Sequence, residues 1–140
     1  MRTDNNIYNQ AAAVPFLTEK GRVRILLITS RKSGNWIFPK GLIEPGDSPV
    51  YTAMKEAMEE AGISGEIIPE VIFRYRYPKW DGLCHVSVYP LRVSGLLKHF
   101  EEERERKRHW FELDEAVAAV QKTVLKEALT AFKEYHLKQG

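Results

Sequence analysis

Short apolar segments alternate with turns rich in glycine, proline and asparagine along most of the chain, which predicts strands joined largely by hairpins. The segment 22–30 has a fully apolar centre, as expected of a strand that is buried on both faces. Other apolar or alternating segments predict further strands at residues 11–18, 36–39, 67–77, 83–93 and 109–111.

A helix is predicted over residues 50–61, because its start and stop signals are clear. Ser48 is a good N-cap, Pro49 suits the first helical position, and Gly62 is a good C-terminal stop. A loop at residues 41–47 contains glycine and proline and leads into this helix.

Two more helices are predicted near the C-terminus, at residues 113–120 and 124–137, the second from apolar positions at helical spacing. Strands therefore outnumber helices, and most are linked by hairpins. This pattern predicts an α+β fold class, or an α/β/α sandwich with a mixed sheet.

The length and composition fit one soluble domain. The chain has 140 residues, of which 44% are hydrophobic and 29% charged, as in ordinary globular proteins. Residues 1–10 are polar and are interpreted as a flexible N-terminal arm, and residues 11–140 as a single domain. The apolar runs are too short to cross a bilayer and the single cysteine cannot form an internal disulfide, so we expect a cytoplasmic protein without membrane contact.

The charge balance bears on possible partners. The net charge of +2 is too even to predict a nucleic-acid partner, and the chain has no basic tail or aromatic platform for one. Local positive charge could meet a polyanionic small molecule, although scattered solvated charges are the alternative. A homodimer stays open. The basic residues concerned are Arg22, Arg24, Arg31, Lys32, Lys40, Arg74, Arg76 and Lys79.

The predicted first helix carries a stripe of carboxylates. Glu56, Glu59 and Glu60 stand at i, i+3 and i+4 and so share one helix face. Adjacent like charges cost roughly 0.2–0.5 kcal/mol per close pair, a cost that a divalent cation would reverse. Mg²⁺ takes oxygen ligands and is usually held by a few carboxylates and substrate phosphates. A solvated acidic face is the alternative. The helix has a separate apolar face of Val50, Met54, Ala57 and Ala61.

The loop and helix together resemble the Nudix box. The family pattern is Gly, five residues, Glu, seven residues, Arg-Glu, an aliphatic residue, any residue, Glu-Glu, any residue, Gly and an aliphatic residue. All spacings agree, with Asp47 in place of the first Glu and Lys55 in place of Arg. Asp is one methylene shorter than Glu, and Lys lacks the planar fork of Arg. The positions identical to the pattern are Gly41, Glu56, Glu59, Glu60, Gly62 and Ile63.

The resemblance extends beyond the box. The segment 36–41 resembles the entry to the box in Nudix enzymes of the diphosphoinositol polyphosphate and diadenosine polyphosphate groups. The segment 106–116 resembles the closing strand and helix of the former group. The resemblance implies a Nudix-type α/β/α sandwich and a hydrolase that cleaves a phosphoanhydride bond in a nucleoside-diphosphate-linked or related polyphosphate.

The resemblance also implies roles for residues. Glu56, Glu59 and Glu60 would bind Mg²⁺ or Mn²⁺, with Asp47 and Lys55 orienting them. A carboxylate would accept the proton of the attacking water, either a glutamate of the box or a later one. The later candidates are Glu101, Glu102, Glu103 and Glu105, among which the sequence does not choose. The residues predicted to bind the substrate are Lys40, Arg31, Lys32, Gly41, Arg74 and Arg76.

Three hypotheses about function stay open at this point. The first is a hydrolase of diadenosine or diphosphoinositol polyphosphates. The second is a nucleotide-sugar or oxidised-nucleotide pyrophosphatase, because the sequence contains no base-reading motif that decides between them. The third is a degenerate Nudix domain that binds a phosphorylated ligand, a hypothesis kept open by Asp47 and Lys55.

Overall fold

The computed structural model describes residues 6–139, which form eight strands and three helices. In chain order they are β1 (Asn6–Glu19), β2 (Arg22–Thr29), β3 (Trp36–Ile37), β4 (Lys40–Leu42), α1 (Pro49–Ala61), β5 (Ile63–Ile67), β6 (Phe73–Lys79), β7 (Gly82–Leu96), β8 (Arg108–Glu112), α2 (Leu113–Ala119) and α3 (Thr123–Lys138). Within the described residues, none of these helices is long and apolar enough to span a bilayer.

The strands form one mixed sheet organised around β1. This strand runs parallel to β7 and antiparallel to β2 and β4. The far side of β7 pairs with β5 and β6, and the far side of β2 pairs with β8. The short β3 pairs with the end of β2 on the same side as β1. The mixed sheet predicted from the sequence is therefore confirmed.

Two apolar cores lie on opposite faces of the sheet. Ala11 and Ala13 of β1 pack in the core beneath α1, whereas Ala12 and Val14 pack in the core beneath α2 and α3. This alternation follows from the two-residue period of a strand. Phe132 of α3 is fully buried in the second core. The layers are thus helix, sheet and helices, and the predicted α/β/α sandwich is confirmed.

Local sequence signals set the ends of α1, as predicted. The Ser48 hydroxyl accepts a hydrogen bond from the Tyr51 amide at 3.0 Å, and Pro49 occupies the first turn. Gly62 ends the helix with a φ of 66°, in the left-handed region that favours glycine. The buried face differs in part from the prediction, because Ala53 joins Ala57 and Ala61 in the core while Val50 and Met54 are only partly buried.

The predicted boundary of the first strand is wrong. β1 begins at Asn6 rather than at residue 11, because residues 6–16 pair with residues 82–92 of β7. Residues 6–10 therefore belong to the sheet, and residues 1–5 of the predicted arm lie outside the described residues. Residues 40–42, at the junction with the predicted loop, also pair with β1, as β4.

The predicted strand at residues 67–77 is two strands. β5 ends at Ile67 and β6 begins at Phe73, and both pair with the same edge of β7. Pro69, which has no backbone N–H to donate to a ladder, lies between them.

Candidate active site

Glu60 is buried rather than part of a solvated stripe. It is 6% exposed, and its Oε1 accepts a hydrogen bond from the backbone amide of Lys40 at 3.2 Å. Because Glu60 is three residues after the buried Ala57, the helical period places it at the edge of the core face. The prediction of a carboxylate face separate from the apolar face is therefore wrong for Glu60.

Glu56 fills the space above Gly41. A Cβ atom added at Gly41 would lie 2.7 Å from Cγ of Glu56 and closer still to its carboxylate carbon. The sequence predicts Gly41 as a residue that binds substrate. The structure instead shows a requirement for space, because any side chain at this position would displace the Glu56 carboxylate.

The carboxylates of Glu56 and Glu60 influence each other's pKa. Burial raises the pKa of Glu60 to about 8, against the opposing charge of Arg106 and with a further contribution from Glu56. Burial also raises the pKa of Glu56, and the charges of Glu59 and Glu102 add to this rise. These acids are therefore crowded in a partly desolvated place, where a bound cation would stabilise their charged forms.

This donor set fits a hard divalent cation. Its groups are carboxylate oxygens, the ligands that Mg²⁺ and Mn²⁺ prefer, and Gly41 leaves room for the Glu56 carboxylate among them. Within residues 6–139, no three acidic, histidine or cysteine side chains already converge in a metal-coordinating arrangement. Glu59 lies three residues after Glu56 on α1 and is partly exposed, so its side chain is less confined than that of Glu60.

A fourth carboxylate approaches from the segment before β8. The backbone amide of Glu102 donates to the carbonyl of Glu59 at 3.0 Å, which fixes this segment against α1. The Glu102 carboxylate is 16% exposed and accepts from Arg106 Nε at 2.7 Å. Among the four later glutamates that the sequence offered as candidates, Glu102 is the one whose charge acts on Glu56.

The other three later glutamates lie away from this cluster. Glu101 is exposed, Glu103 contacts His99 Nδ1 at 3.2 Å, and Glu105 pairs with Arg31 at 3.3 Å. Arg31 also approaches Glu102 at 4.0 Å, and its side chain is 55% exposed. The charge of Arg31 is therefore shared between Glu102 and Glu105, although the sequence predicts that Arg31 binds substrate.

Arg106 joins the site in the structure although no sequence pattern singles it out. Its side chain is 7% exposed, donates to the Thr29 carbonyl at 3.0 Å and lies 3.8 Å from Glu60 Oε2. The available signal was the i, i+4 spacing of Glu102 and Arg106, which favours an ion pair only where the backbone turns like a helix.

Lys40 faces a cavity of about 460 Å³ on the other side of β4 from α1. Its Nζ donates to Tyr77 Oη at 3.1 Å, and Tyr77 Oη donates to Gln10 Oε1 at 2.8 Å. Burial and the nearby charge of Lys79 lower the pKa of Lys40. The cavity combines aromatic walls with cationic groups, among them Trp36, Tyr75, Lys32, Lys40, Lys79 and Lys122.

The two predicted arginines of β6 are placed differently. Tyr75 and Tyr77 pack on the face that bears α2 and α3, so alternation directs Arg74 and Arg76 to the opposite face. Arg76 also lines the cavity that contains Lys40, at the edge of the sheet, whereas Arg74 lines only a separate cavity with His85 and Ser87. The structure thus brings Lys32, Lys40 and Arg76 together around one cavity, which Arg74 does not line.

Asp47 and Lys55 lie on either side of the start of α1. The backbone amide of Asp47 donates to the Glu44 carbonyl at 3.0 Å in a turn. In the part of the chain that the structure describes, the side chains of Asp47 and Lys55 form no hydrogen bond or ion pair. The charge of Lys55 does oppose the larger effects of burial and of Glu59 on the Glu56 pKa.

Comparisons with known proteins identify related sequences and a related fold. The profile of the family described as NUDIX domain matches residues 7–132. Nudix hydrolase 4 of Arabidopsis thaliana is 32% identical over 94% of this chain and 68% of its own length. Human diphosphoinositol polyphosphate phosphohydrolase 3-alpha is 33% identical over 80% of this chain and 68% of its own length. The matched region is thus about two thirds of each of these relatives.

The fold is also shared with a solved structure. An Ap4A hydrolase of C. elegans, determined as a binary complex, superposes with a TM-score of 0.80 at 20% sequence identity. The match covers 94% of this chain and 98% of that chain. At this level of identity, the likeness concerns the fold.

Proposed function

The chain belongs to the Nudix hydrolase family, and from that premise we propose that it is a Mg²⁺- or Mn²⁺-dependent enzyme that hydrolyses a phosphoanhydride bond. The substrate would be a nucleoside-diphosphate-linked or related polyphosphate. We further propose that residues 11–140 act as a single Nudix domain together with the part of β1 that precedes them.

The observation that carries the proposal is the position of Lys40 between the carboxylate cluster and the basic cavity. Its backbone amide binds the Glu60 carboxylate at 3.2 Å, and its Nζ lines the basic and aromatic cavity. A polyphosphate in that cavity would have its phosphates near Lys40, the residue whose backbone adjoins the carboxylate cluster. Adjacent carboxylates and cations are what metal-assisted phosphoryl chemistry requires.

The carboxylates of α1 would hold the cation. Glu56 and Glu60 adjoin each other, Glu59 is on the same helix face, and Gly41 provides the space that Glu56 needs. When bound, Mg²⁺ would neutralise phosphate oxygens and lower the pKa of water. Lys55 and Asp47 would contribute their charges from the edges of this group, without direct contacts to it.

Glu102 is the best placed residue to accept a proton from the attacking water. It is close enough to Glu56 to raise that residue's pKa, and its ion pair with Arg106 fixes its orientation. Lys40 and Lys32, with Arg76 at the rim, would neutralise the phosphates that do not react. Gly41 would keep the backbone close to both groups.

The favoured substrates are diadenosine polyphosphates and diphosphoinositol polyphosphates. The human relative at 33% identity is named for the second class, and the structural neighbour is named as an Ap4A hydrolase. Four lysines line the cavity and suit a substrate with several phosphates, namely Lys32, Lys40, Lys79 and Lys122. Nucleotide sugars and oxidised nucleotides, which carry fewer phosphates, suit it less well.

The experiment is a substrate panel with product identification. Diadenosine tetraphosphate, a diphosphoinositol pentakisphosphate, a nucleotide sugar, an oxidised nucleoside triphosphate and ATP would be tested with Mg²⁺, with Mn²⁺ and with chelator. We expect metal-dependent turnover with the highest kcat/KM on one of the first two. A preference for the nucleotide sugar or the oxidised nucleotide would overturn the substrate class, and tight binding without turnover would indicate a ligand-sensing domain.

A further inference from the structure

We propose that Arg106 is a positioning residue, which holds the Glu102 carboxylate beside Glu60 and so places the proton acceptor of the reaction. This inference rests on the proposed function, because it assigns a role within the same site. Arg106 lies four residues after Glu102, in the segment that leads into β8. Arg106 itself would touch neither substrate nor metal and would act through Glu102.

The contacts of Arg106 join three parts of the fold. Nε donates to Glu102 at 2.7 Å, Nη1 donates to the Thr29 carbonyl at the end of β2 at 3.0 Å, and Nη2 lies 3.8 Å from Glu60 Oε2. The Thr29 carbonyl is part of the rigid sheet, so it anchors the guanidinium plane. The direction of Glu102 is therefore set relative to the sheet and to α1 at once.

The burial of Arg106 also points to a specific role. Its side chain is 7% exposed, and the side chains of Glu60 and Glu102 are 8% and 16% exposed. Removing such charges from water is costly unless they are paired and hydrogen-bonded. An exposed ion pair would hold this segment against α1 equally well. The burial of Arg106 is therefore explained by its contacts with the carboxylates of Glu60 and Glu102.

Arginine suits this place better than lysine. The guanidinium presents several donors in one plane, and here two of them donate hydrogen bonds while a third nitrogen lies within ion-pair distance of Glu60. A lysine has a single ammonium group and could pair with Glu102 or bind Thr29, but it could not hold both in the same geometry. The Arg106→Lys variant therefore keeps the positive charge but loses the planar guanidinium, so it distinguishes the effect of charge from that of geometry.

The chain provides a matched control in Arg108. Arg108 donates to the carbonyls of Ala61 and Leu97, at 2.7 and 2.6 Å, and its guanidinium lies over the Phe100 ring. It thus fastens the same segment to α1, but through carbonyl groups rather than the carboxylates of the site. If Arg106 served only to fasten the segment, the two arginines would have equivalent effects.

The experiment compares Arg106→Gln, Arg106→Lys and Arg108→Gln with wild type. For Arg106→Gln we expect kcat to fall about ten- to a hundredfold, as is typical when a supporting contact behind a reacting group is lost, with an unchanged KM. Arg106→Lys should recover part of kcat. Calorimetric titration with Mn²⁺ alone should show unchanged or tighter binding in Arg106→Gln, because a positive charge near Glu60 has been removed.

A double-mutant cycle tests whether Arg106 acts through Glu102. The kcat of Glu102→Gln/Arg106→Gln should equal that of Glu102→Gln alone, since the second change removes a partner that no longer matters. Additive losses in kcat, weaker Mn²⁺ binding in Arg106→Gln, or an equal loss of kcat in Arg108→Gln would each overturn the proposal. An inactive wild-type enzyme that still binds Mn²⁺ would instead refute the proposed function.

Discussion

Glu56 occupies the volume that a side chain at Gly41 would need. An added Cβ would lie 2.7 Å from Glu56 Cγ, and the nearest atoms all belong to the end of that side chain. Gly41 and Glu56 are therefore coupled, because the missing side chain of the glycine provides the space that the glutamate occupies. Glu56 can rotate away from an intruding methyl group, so the fold can tolerate a change that the site cannot.

Gly41→Ala should consequently reduce metal binding more than stability. We expect Mn²⁺ affinity to fall about ten- to a hundredfold, because a carboxylate of the site is turned away, while the Tm changes little. Calorimetry and thermal unfolding measure the two effects. Gly95→Ala is the matched control, since a Cβ at Gly95 would meet nothing within 4 Å. Unchanged Mn²⁺ affinity in Gly41→Ala would show that Glu56 is not a ligand.

Glu60→Gln should stabilise the metal-free protein at neutral and higher pH. The pKa of Glu60 is raised from 4.5 to about 8 by burial, so the folded state binds this proton more tightly than the unfolded state. The stability that depends on this proton is present below pH 4.5 and is lost as the pH rises to about 8. Glutamine keeps the acceptor for the Lys40 amide without the buried charge.

Thermal unfolding with chelator at pH 5 and pH 8 measures this effect. The Tm of Glu60→Gln should exceed that of wild type at the higher pH, and the difference should shrink at the lower pH. A difference in Tm that is the same at both values would mean that Glu60 does not titrate in this range. Glu66→Gln is the control, because the Glu66 side chain is 80% exposed.

Lys40 and Arg74 should differ in their effect on substrate binding. Lys40 lines the cavity with Lys32 and Arg76, whereas Arg74 does not line this cavity. Lys40→Met should raise KM for a polyphosphate by about tenfold, the equivalent of about 1.4 kcal/mol. Arg74→Met should change KM much less. Steady-state kinetics on both variants measure the two changes in KM. Equal increases would support the prediction from the sequence that Arg74 binds substrate.

Glu102→Gln should lower kcat about a hundredfold, within the range usual for loss of a general base. The KM for substrate should stay close to that of wild type, because Glu102 does not line the phosphate cavity. The adjacent and exposed Glu101 provides the control as Glu101→Gln. A full kcat in Glu102→Gln, measured across pH 6 to 9, would transfer the role of proton acceptor to a glutamate of α1.

The sequence predicts those parts of the fold that depend on neighbouring residues. Ser48 and Gly62 mark the ends of α1 through contacts within one turn, and both are used as expected. The start of β1 at Asn6 depends on pairing with Gly82, which no local pattern reveals. The division of β5 from β6 likewise depends on how both strands fit against β7.

The candidate site divides in the same way. The spacing of Glu56, Glu59 and Glu60 on one helix is a local property and was predicted from the sequence. The burial of Glu60 depends on the backbone of Lys40, and the choice of Glu102 among four glutamates depends on Arg106. Such contacts arise only when the sheet brings distant segments together.

The central claim is that the carboxylates of α1 support metal-dependent hydrolysis of a phosphoanhydride. Its most direct test is the turnover of wild type and Glu60→Gln on the best polyphosphate substrate, with Mg²⁺ and with chelator. We predict turnover by wild type only with Mg²⁺, and a loss of about a hundredfold in Glu60→Gln, equivalent to ~3 kcal/mol in the barrier. Equal rates for the two proteins, or wild-type turnover that persists in chelator, would contradict it.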